Sequence, residues 1–214
     1  MTTLRITEIF RSLQGESNTV GLPTTFVRLT GCPLRCTYCD TEYAFHGGDV
    51  MPVTDIVDRV RELGAPWVTV TGGEPLAQPG AKPLMEQLVA AGFRVSLETS
   101  GAMDTSGVPD EVVVVLDLKT PASGEVSRNC YTNIDRLKPI DQVKFVICDR
   151  TDYDWAKFKI AEYDLCDRVA DVLLSPSHEQ LEPVTLADWI LGDTLPVRLQ
   201  IQLHKYLWGD KPGV

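Results

Sequence analysis

The sequence predicts an α/β fold: a mostly parallel sheet, open or curled towards a barrel, with helices covering it. Three observations carry this. Stretches dense in Val, Ile and Leu recur along the chain, stretches with apolar residues at helical spacing stand between them, and glycines end those helical stretches. Strands alternating with helices imply right-handed crossovers and parallel pairing. Continuous apolar runs suit strands covered on both faces.

Strands are predicted at residues 24–29, 67–71, 94–98, 112–118, 143–148, 172–174 and 197–203. After the first of them, Val53, Ile56, Val57, Val60 and Leu63 repeat as one helix face and stop at Gly64, the residue type that most readily closes a helix. Leu84, Leu88 and Ala91 do likewise before Gly92, and residues 102–110 read as a loop. Thr151 with Asp154, and Thr185 with Asp188, have the spacing of a capping box and predict two later helices. No repeat, low-complexity tract or linker divides the chain. Its 214 residues, 43% of them hydrophobic, suffice for one continuous core, so a single domain over 1–214 is expected. Ligands in such sheets gather at the carboxyl ends of the strands.

Acidic side chains outnumber basic ones 30 to 20, a formal net charge of -10. That field repels nucleic acid and anionic lipid surfaces and favours a small-molecule partner. The opening MTTLRITEIFRSLQGES lacks the basic start, apolar core and small-residue cleavage site of a secretory signal. The longest apolar run, residues 112–116, ends at Asp117, well short of the roughly 18 residues that cross a bilayer. A cytoplasmic protein with no membrane and no nucleic-acid partner is expected.

Six cysteines in a reducing compartment argue against a disulfide framework. Cys130, Cys148 and Cys166 are isolated in unrelated segments and read as small core residues or spectator thiols. The other three stand together in GCPLRCTYCDTEY, where Cys32, Cys36 and Cys39 form a C-x3-C-x2-C loop able to converge on one metal centre. Ferredoxin-type clusters take four cysteines, so three leave one iron open to an external ligand. Structural zinc is the alternative, with His46 completing a Cys3His set, and spacing alone does not separate the two.

Further motifs follow strand ends. Thr71, Gly72, Gly73, Glu74 and Pro75 close the second predicted strand; the glycines let backbone approach a ligand, although Gly-Gly after a strand can also be only a turn. Glu98 and Lys119 end the next two strands, where the lysine alone would read equally as a solvated charge. His46 and His178 read as ordinary loop residues, and no Ser-His-Asp or Cys-His set stands out among three histidines.

With Tyr38 just before the last cysteine, the C-x3-C-x2-C loop resembles the signature of the radical S-adenosylmethionine (radical SAM) superfamily. The resemblance implies a partial, incomplete TIM-like barrel and a [4Fe-4S] cluster on Cys32, Cys36 and Cys39. The amino and carboxylate groups of S-adenosyl-L-methionine would complete the open iron, and reductive cleavage would yield a 5′-deoxyadenosyl radical. By the same resemblance Tyr38, Asp40, Gly73, Glu74, Glu98 and Lys119 would meet S-adenosylmethionine, Glu98 at the ribose.

Within the superfamily, three segments resemble the 7-carboxy-7-deazaguanine synthases: EIFRSLQGES, FVRLTGC and QLHKYLWG. This likeness implies that Leu13, Gln14, Gly15 and Glu16 hold a pterin ring, a donor-acceptor pattern that Gln and Glu can satisfy. Arg28 would pair with the substrate carboxylate, Thr71 would touch substrate, and His204 would close over it. Thr41 would ligate Mg2+ together with substrate and water. The subfamily often carries Ser-Pro-Lys where this chain has Asp117, Leu118 and Lys119, so only the lysine matches. The DKPGV ending resembles one version of the family's tail and receives no role.

The implied reaction is conversion of 6-carboxy-5,6,7,8-tetrahydropterin to 7-carboxy-7-deazaguanine with loss of ammonia, a lyase-type ring contraction in queuosine-type deazapurine biosynthesis. The cofactor carries the hard chemistry and no protein nucleophile is required. An electron donor such as flavodoxin or ferredoxin and a homodimer are the family expectation. A glycyl-radical-enzyme activase shares the cysteine loop and is the alternative enzyme; a zinc-stabilised binding module is the non-enzymatic one.

Overall fold

The computed structural model describes residues 2–209, 211 and 213; Met1, and Asp210, Pro212 and Val214 of the DKPGV ending, lie outside the described residues. In chain order the elements are β1 (Thr3–Leu13), β2 (Pro23–Leu29), β3 (Asp49–Pro52), α1 (Val53–Leu63), β4 (Trp67–Gly72), α2 (Ala81–Ala90), β5 (Arg94–Thr99) and β6 (Val113–Asp117). Then come β7 (Gln142–Ile147), α3 (Arg150–Glu162), α4 (Leu165–Arg168), β8 (Asp171–Pro176), α5 (Pro183–Asp193), β9 (Arg198–Leu199) and α6 (Leu203–Trp208). One sheet takes the strands in the order β3-β1-β2-β4-β5-β6-β7-β8-β9. Neighbours from β2 to β9 are parallel, whereas β1 runs antiparallel to both β2 and β3.

The central parallel strands pack one face under the helices, in two apolar layers side by side, and turn the other, also largely buried, into the curl of the sheet. One packed layer joins α1 and α2 to β1, β2, β4 and β5 through Ile56, Val60, Leu84 and Leu88. A second joins α3 and α5 to β6, β7 and β8 through Leu116, Phe145, Tyr153 and Leu186. Gly64 closes α1 at φ 70°, as its spacing predicts.

Two strands escaped the sequence reading. β1 reads TLRITEIFRSL, with Arg5, Glu8 and Arg11 interrupting the apolar residues. It is an antiparallel strand with one face towards water, so it shows alternation in place of a run; Phe10 stacks on its cross-strand partner Phe26 at 5.1 Å. β3 is a short edge strand, half of it exposed.

Three other expectations need correction. The strand predicted at 197–203 shrinks to Arg198–Leu199, because the chain leaves the sheet after Gln200 N bonds Leu174 O at 2.9 Å and turns into α6. Asp149, not Thr151, caps α3 by accepting from Asp152 N at 2.9 Å, and Asp154 pairs with Arg150. α5 starts at Pro183, ahead of Thr185, with no side-chain cap; proline at the first turn is already set to a helical φ.

The loop between β1 and β2 curls this sheet. Asn18 N donates to Gln142 Oε1 at 2.8 Å, Gln142 Nε2 returns to Asn18 Oδ1 at 2.9 Å, and Asn18 Nδ2 reaches Asp171 Oδ2 at 2.9 Å. Ser17 N donates to Gln200 Oε1 at 2.6 Å. One flank of the sheet is thus tied by side chains to the first residues of β7 and β8 on the other. The barrel is incomplete, since β3 and β9 remain separate edges.

Candidate active site

The cysteine loop follows β2 and is held from three sides. Gly31 N donates to Ala44 O at 2.8 Å, Glu74 N donates to Gly31 O at 2.9 Å, and Leu34 is buried beneath the loop. On the far side Thr37 N and Oγ1 donate to Ser123 O at 3.1 Å and Ala122 O at 2.8 Å, while Arg35 N donates to Glu125 Oε1 at 2.6 Å. Cys32, Cys36 and Cys39 are free, half-buried and face one cavity of about 320 Å³, a volume suited to a small molecule. Burial raises all three thiol pKa values, that of Cys36 to about 11. Bound metal must therefore displace protons. Among the described residues no three His, Cys, Asp or Glu side chains gather around a single ion position. His46 is exposed and does not line the cavity.

The glycines after β4 are required by contact. Gly72 has φ +143°, and a Cβ there would stand 2.2 Å from Leu29 O. A Cβ on Gly73 would meet Gly31 O at 2.3 Å and Cys32 Cβ at 2.8 Å. Both glycines line the cavity. Glu74 does not: it is 0% exposed. Its carboxylate accepts from Leu76 N at 2.9 Å, Thr99 Oγ1 at 2.9 Å, Ser100 N at 2.7 Å and Ser100 Oγ at 2.5 Å. The side chain expected to reach the cofactor instead locks the loop after β4 to the end of β5.

Glu98, expected at a ribose, lies with the residues expected to hold substrate. Thr71 Oγ1 donates to its Oε2 at 2.9 Å and Gln14 Nε2 to its Oε1 at 3.2 Å. Burial and the nearby Glu16 carboxylate raise its pKa. Gln14 also donates to Thr69 Oγ1 at 3.1 Å. Burial raises the Glu16 pKa, but the Lys144 ammonium and a hydrogen bond from Gln202 outweigh it and hold the carboxyl below its ordinary value. Gly15 is matched to His204: a Cβ there would stand 2.1 Å from His204 Nδ1. Burial lowers the His204 pKa, favouring neutral imidazole. Leu13, Gln14, Gly15, Glu16, Thr71, Glu98 and His204 all line the cavity.

Arg28 enters the cavity from β2 with its Nε on Glu8 Oε1 at 2.7 Å. Its Cζ lies 5.9 Å from the ring centroids of both Phe10 and Tyr43. Tyr43 Oη donates to the same Glu8 oxygen at 2.9 Å. At the end of β6, Lys119 Nζ pairs with Asp117 Oδ2 at 2.9 Å and lies 5.8 Å from the Tyr38 ring. Burial would lower the Lys119 pKa, but Asp117 raises it well above the ordinary value. Tyr38 Oη and Asp117 Oδ1 are buried without a hydrogen-bond partner. Thr41 Oγ1 donates to Asp40 Oδ1 at 2.7 Å, and both residues line the cavity.

Sequence reasoning missed Glu8, Tyr43, Asp117, Lys144 and Gln202. Lys144 alone left a signal, a charge inside the otherwise apolar run QVKFVI. His178, expected to be an ordinary loop residue, is exposed but lines the cavity after β8. Cys130, Cys148 and Cys166 are half-buried and outside it.

Residues 26–118 match the model of the Radical SAM superfamily. The 7-carboxy-7-deazaguanine synthase of Koribacter versatilis is 46% identical over 96% of this chain and 97% of its own. That of Chlorobaculum tepidum is 43% identical over 99% and 97%. The crystal structure of QueE from Escherichia coli shares the fold, with a TM-score of 0.77 at 22% identity over 94% of each chain. The chain belongs to the 7-carboxy-7-deazaguanine synthase family, within the radical SAM superfamily.

Proposed function

We propose that this chain converts 6-carboxy-5,6,7,8-tetrahydropterin to 7-carboxy-7-deazaguanine with loss of ammonia, as a carbon-nitrogen lyase in queuosine-type biosynthesis, through one radical SAM domain spanning 1–214. The observation that carries the reading is the convergence of three free thiols, a half-buried arginine and a Gln14/Glu16 pair on one cavity. The names of the relatives supply the product, and the family resemblance supplies the substrate.

The residues fit the groups the family implies. Three thiols face the cavity beside Tyr38 Oη and Asp117 Oδ1, buried polar atoms that lack a partner. Such atoms are costly to leave unpaired, and a ligand there would satisfy them. When bound, a [4Fe-4S] cluster on Cys32, Cys36 and Cys39 with S-adenosylmethionine supplies a radical able to take a hydrogen atom from substrate.

The chain's own residues bind, orient and exclude water. Arg28 offers its remaining guanidinium N–H groups to the substrate carboxylate. Gln14 and Glu16 address the amide and amidine edge of the ring, and Gly15 with His204 packs its face. Glu98 and Thr71 belong to this same substrate group. Gly73, Tyr38 and Lys119 border the cofactor, with Glu74 acting from behind the wall. The Thr41 hydroxyl donates a hydrogen bond to Asp40, which leaves its oxygen lone pairs for Mg2+ shared with substrate and water. A flavodoxin or ferredoxin would supply the electron, and the functional unit would be a homodimer.

The test is anaerobic reconstitution with iron and sulfide, reduction, and incubation with S-adenosylmethionine and 6-carboxytetrahydropterin, followed by mass spectrometry. The deazaguanine product, lost in Cys36→Ala, is the expected result. Cleavage of S-adenosylmethionine without that product would point to another substrate, and turnover of a partner protein would favour the activase. A colourless protein that retains zinc and no iron would sink the enzyme reading.

A further inference from the structure

Gln202 stands where the C-terminal segment crosses the cavity mouth. It precedes α6, and the next residue is anchored by Leu203 N donating to Gly15 O at 3.0 Å. Its amide nitrogen carries two hydrogens, and both face carboxylates: Glu16 Oε1 at 2.8 Å and Asp40 Oδ2 at 3.3 Å. Glu16 lies on the loop after β1 and Asp40 directly follows the last cluster cysteine, so one primary amide joins the substrate loop to the cluster loop. Two carboxylates this close repel each other, and a neutral double donor between them replaces that repulsion with two hydrogen bonds. The remaining Asp40 oxygen accepts the Thr41 hydroxyl proton at 2.7 Å.

A hydroxyl ligates a hard cation through its oxygen lone pairs, and its aim is set by where its proton goes. Asp40 fixes that proton, and Gln202 helps to fix Asp40. The Lys205 and Lys144 charges also act on Asp40, but a point charge does not choose which carboxylate oxygen faces Thr41, whereas a directed N–H does.

We propose that Gln202 is a positioning residue for the divalent cation. Through Asp40 it aims the Thr41 hydroxyl, so that cation affinity depends on the C-terminal segment being closed over the substrate loop. The inference rests on the reading of Thr41 as a cation ligand.

The experiment uses the reconstituted holoenzyme with the tetrahydropterin bound and titrates Mn2+ in place of Mg2+, following free Mn2+ by electron paramagnetic resonance. Iron content and the signal of the reduced cluster are recorded in parallel. In Gln202→Met, which keeps side-chain length but removes the amide, half-saturating Mn2+ is expected to rise several-fold, less than the roughly tenfold or more for losing a direct partner of a metal ligand, because Gln202 acts through Asp40. Iron content and cluster signal should stay unchanged. Adding Gln202→Met to Asp40→Ala should weaken Mn2+ binding no further than Asp40→Ala alone, because the two act in series.

An unchanged half-saturation in Gln202→Met, with Thr41→Ala weakened, overturns the inference and leaves the cation reading standing. No weakening in Thr41→Ala removes the cation reading and the inference with it. If Gln202→Met loses the cluster, Gln202→Asn keeps a neutral amide but is one methylene too short to bridge both carboxylates, and should weaken Mn2+ binding with iron content retained. Loss of the cluster in both variants would assign Gln202 a purely structural role and overturn the inference.

Discussion

Lys144, in the middle of β7, places its ammonium against the Glu16 carboxylate on the loop after β1, with the two side chains only 13% and 15% exposed. The contact spans the cavity and ties the two flanks of an incomplete barrel by a buried ion pair. Breaking such a pair from one side strands a charge and costs on the order of 3–5 kcal/mol. Lys144→Met is therefore expected to lower the melting temperature strongly, with a smaller loss when Glu16→Gln is combined with it. Equal losses in the single and double variants would remove the pairing argument.

The same pair sets a pH window. Glu16 has its folded pKa lowered below 4.5, so its stabilisation is present above 4.5 and lost as pH falls through the folded value. Lys144 has its folded pKa raised above 10.5, so its contribution is present below 10.5 and lost only as pH rises through the folded value. Wild type should lose stability on acidification more steeply than Glu16→Gln, which calorimetry between pH 3 and pH 7, roughly the range around a glutamate's titration, would detect. Parallel curves would contradict the assignment.

Glu98 carries the opposite sign. Its raised pKa means that ionisation is resisted in the folded state, so its destabilisation appears as pH rises above 4.5 and is complete above the folded value. Glu98→Gln should raise the melting temperature at neutral pH by roughly 2–4 °C, the shift that about 1 kcal/mol produces in a domain of this size. The gain should vanish in acid. If Glu98 serves the substrate, kcat/KM falls in the same variant; a variant neither stabilised nor slowed would contradict both statements.

Gly73→Ala puts a methyl group 2.3 Å from Gly31 O and 2.8 Å from Cys32 Cβ. Neither obstacle is the end of a flexible side chain, so the cysteine loop must move. Reconstituted Gly73→Ala is expected to hold clearly less iron per chain than wild type. A full complement of iron with normal cluster absorbance would show that the loop tolerates the displacement.

Arg28→Lys retains charge but loses the planar fork and the Nε contact to Glu8. Loss of charge-assisted hydrogen bonding worth about 2–3 kcal/mol predicts a fall in kcat/KM of roughly 30- to 150-fold. Uncoupled cleavage of S-adenosylmethionine should persist, since the cysteine loop is untouched. A fall confined to that cleavage would place Arg28 with the cofactor instead.

The order and type of the central elements were legible from local chemistry. Buried parallel strands are long apolar runs, α1 ends at a glycine, and three cysteines that must share one centre lie within eight residues of sequence. Motif residues after β2, β4 and β6 came to one cavity because a parallel sheet delivers all its carboxyl ends to the same side. β1 was less legible because its charged face breaks the run, and β9 because pairing with β8 extends over only two residues.

By itself, then, the sequence determined the α/β class, the cysteine loop, the glycine turn beside it and the family resemblance, all carried by residues close in the chain or by strand period. Only the tertiary structure decided which carboxylates face the cavity. Glu74 just after β4 and Glu98 near the end of β5 look alike in one dimension; the first turns inward to hydroxyl and amide donors from Thr99 and Ser100, while the second meets Gln14 across the barrel. Likewise Lys144, Glu16 and Gln202 are separated by more than a hundred residues from Glu16 to either partner. Their meeting depends on the curl of the sheet, and hydrogen bonds and ion pairs of that range leave no periodic trace in a chain.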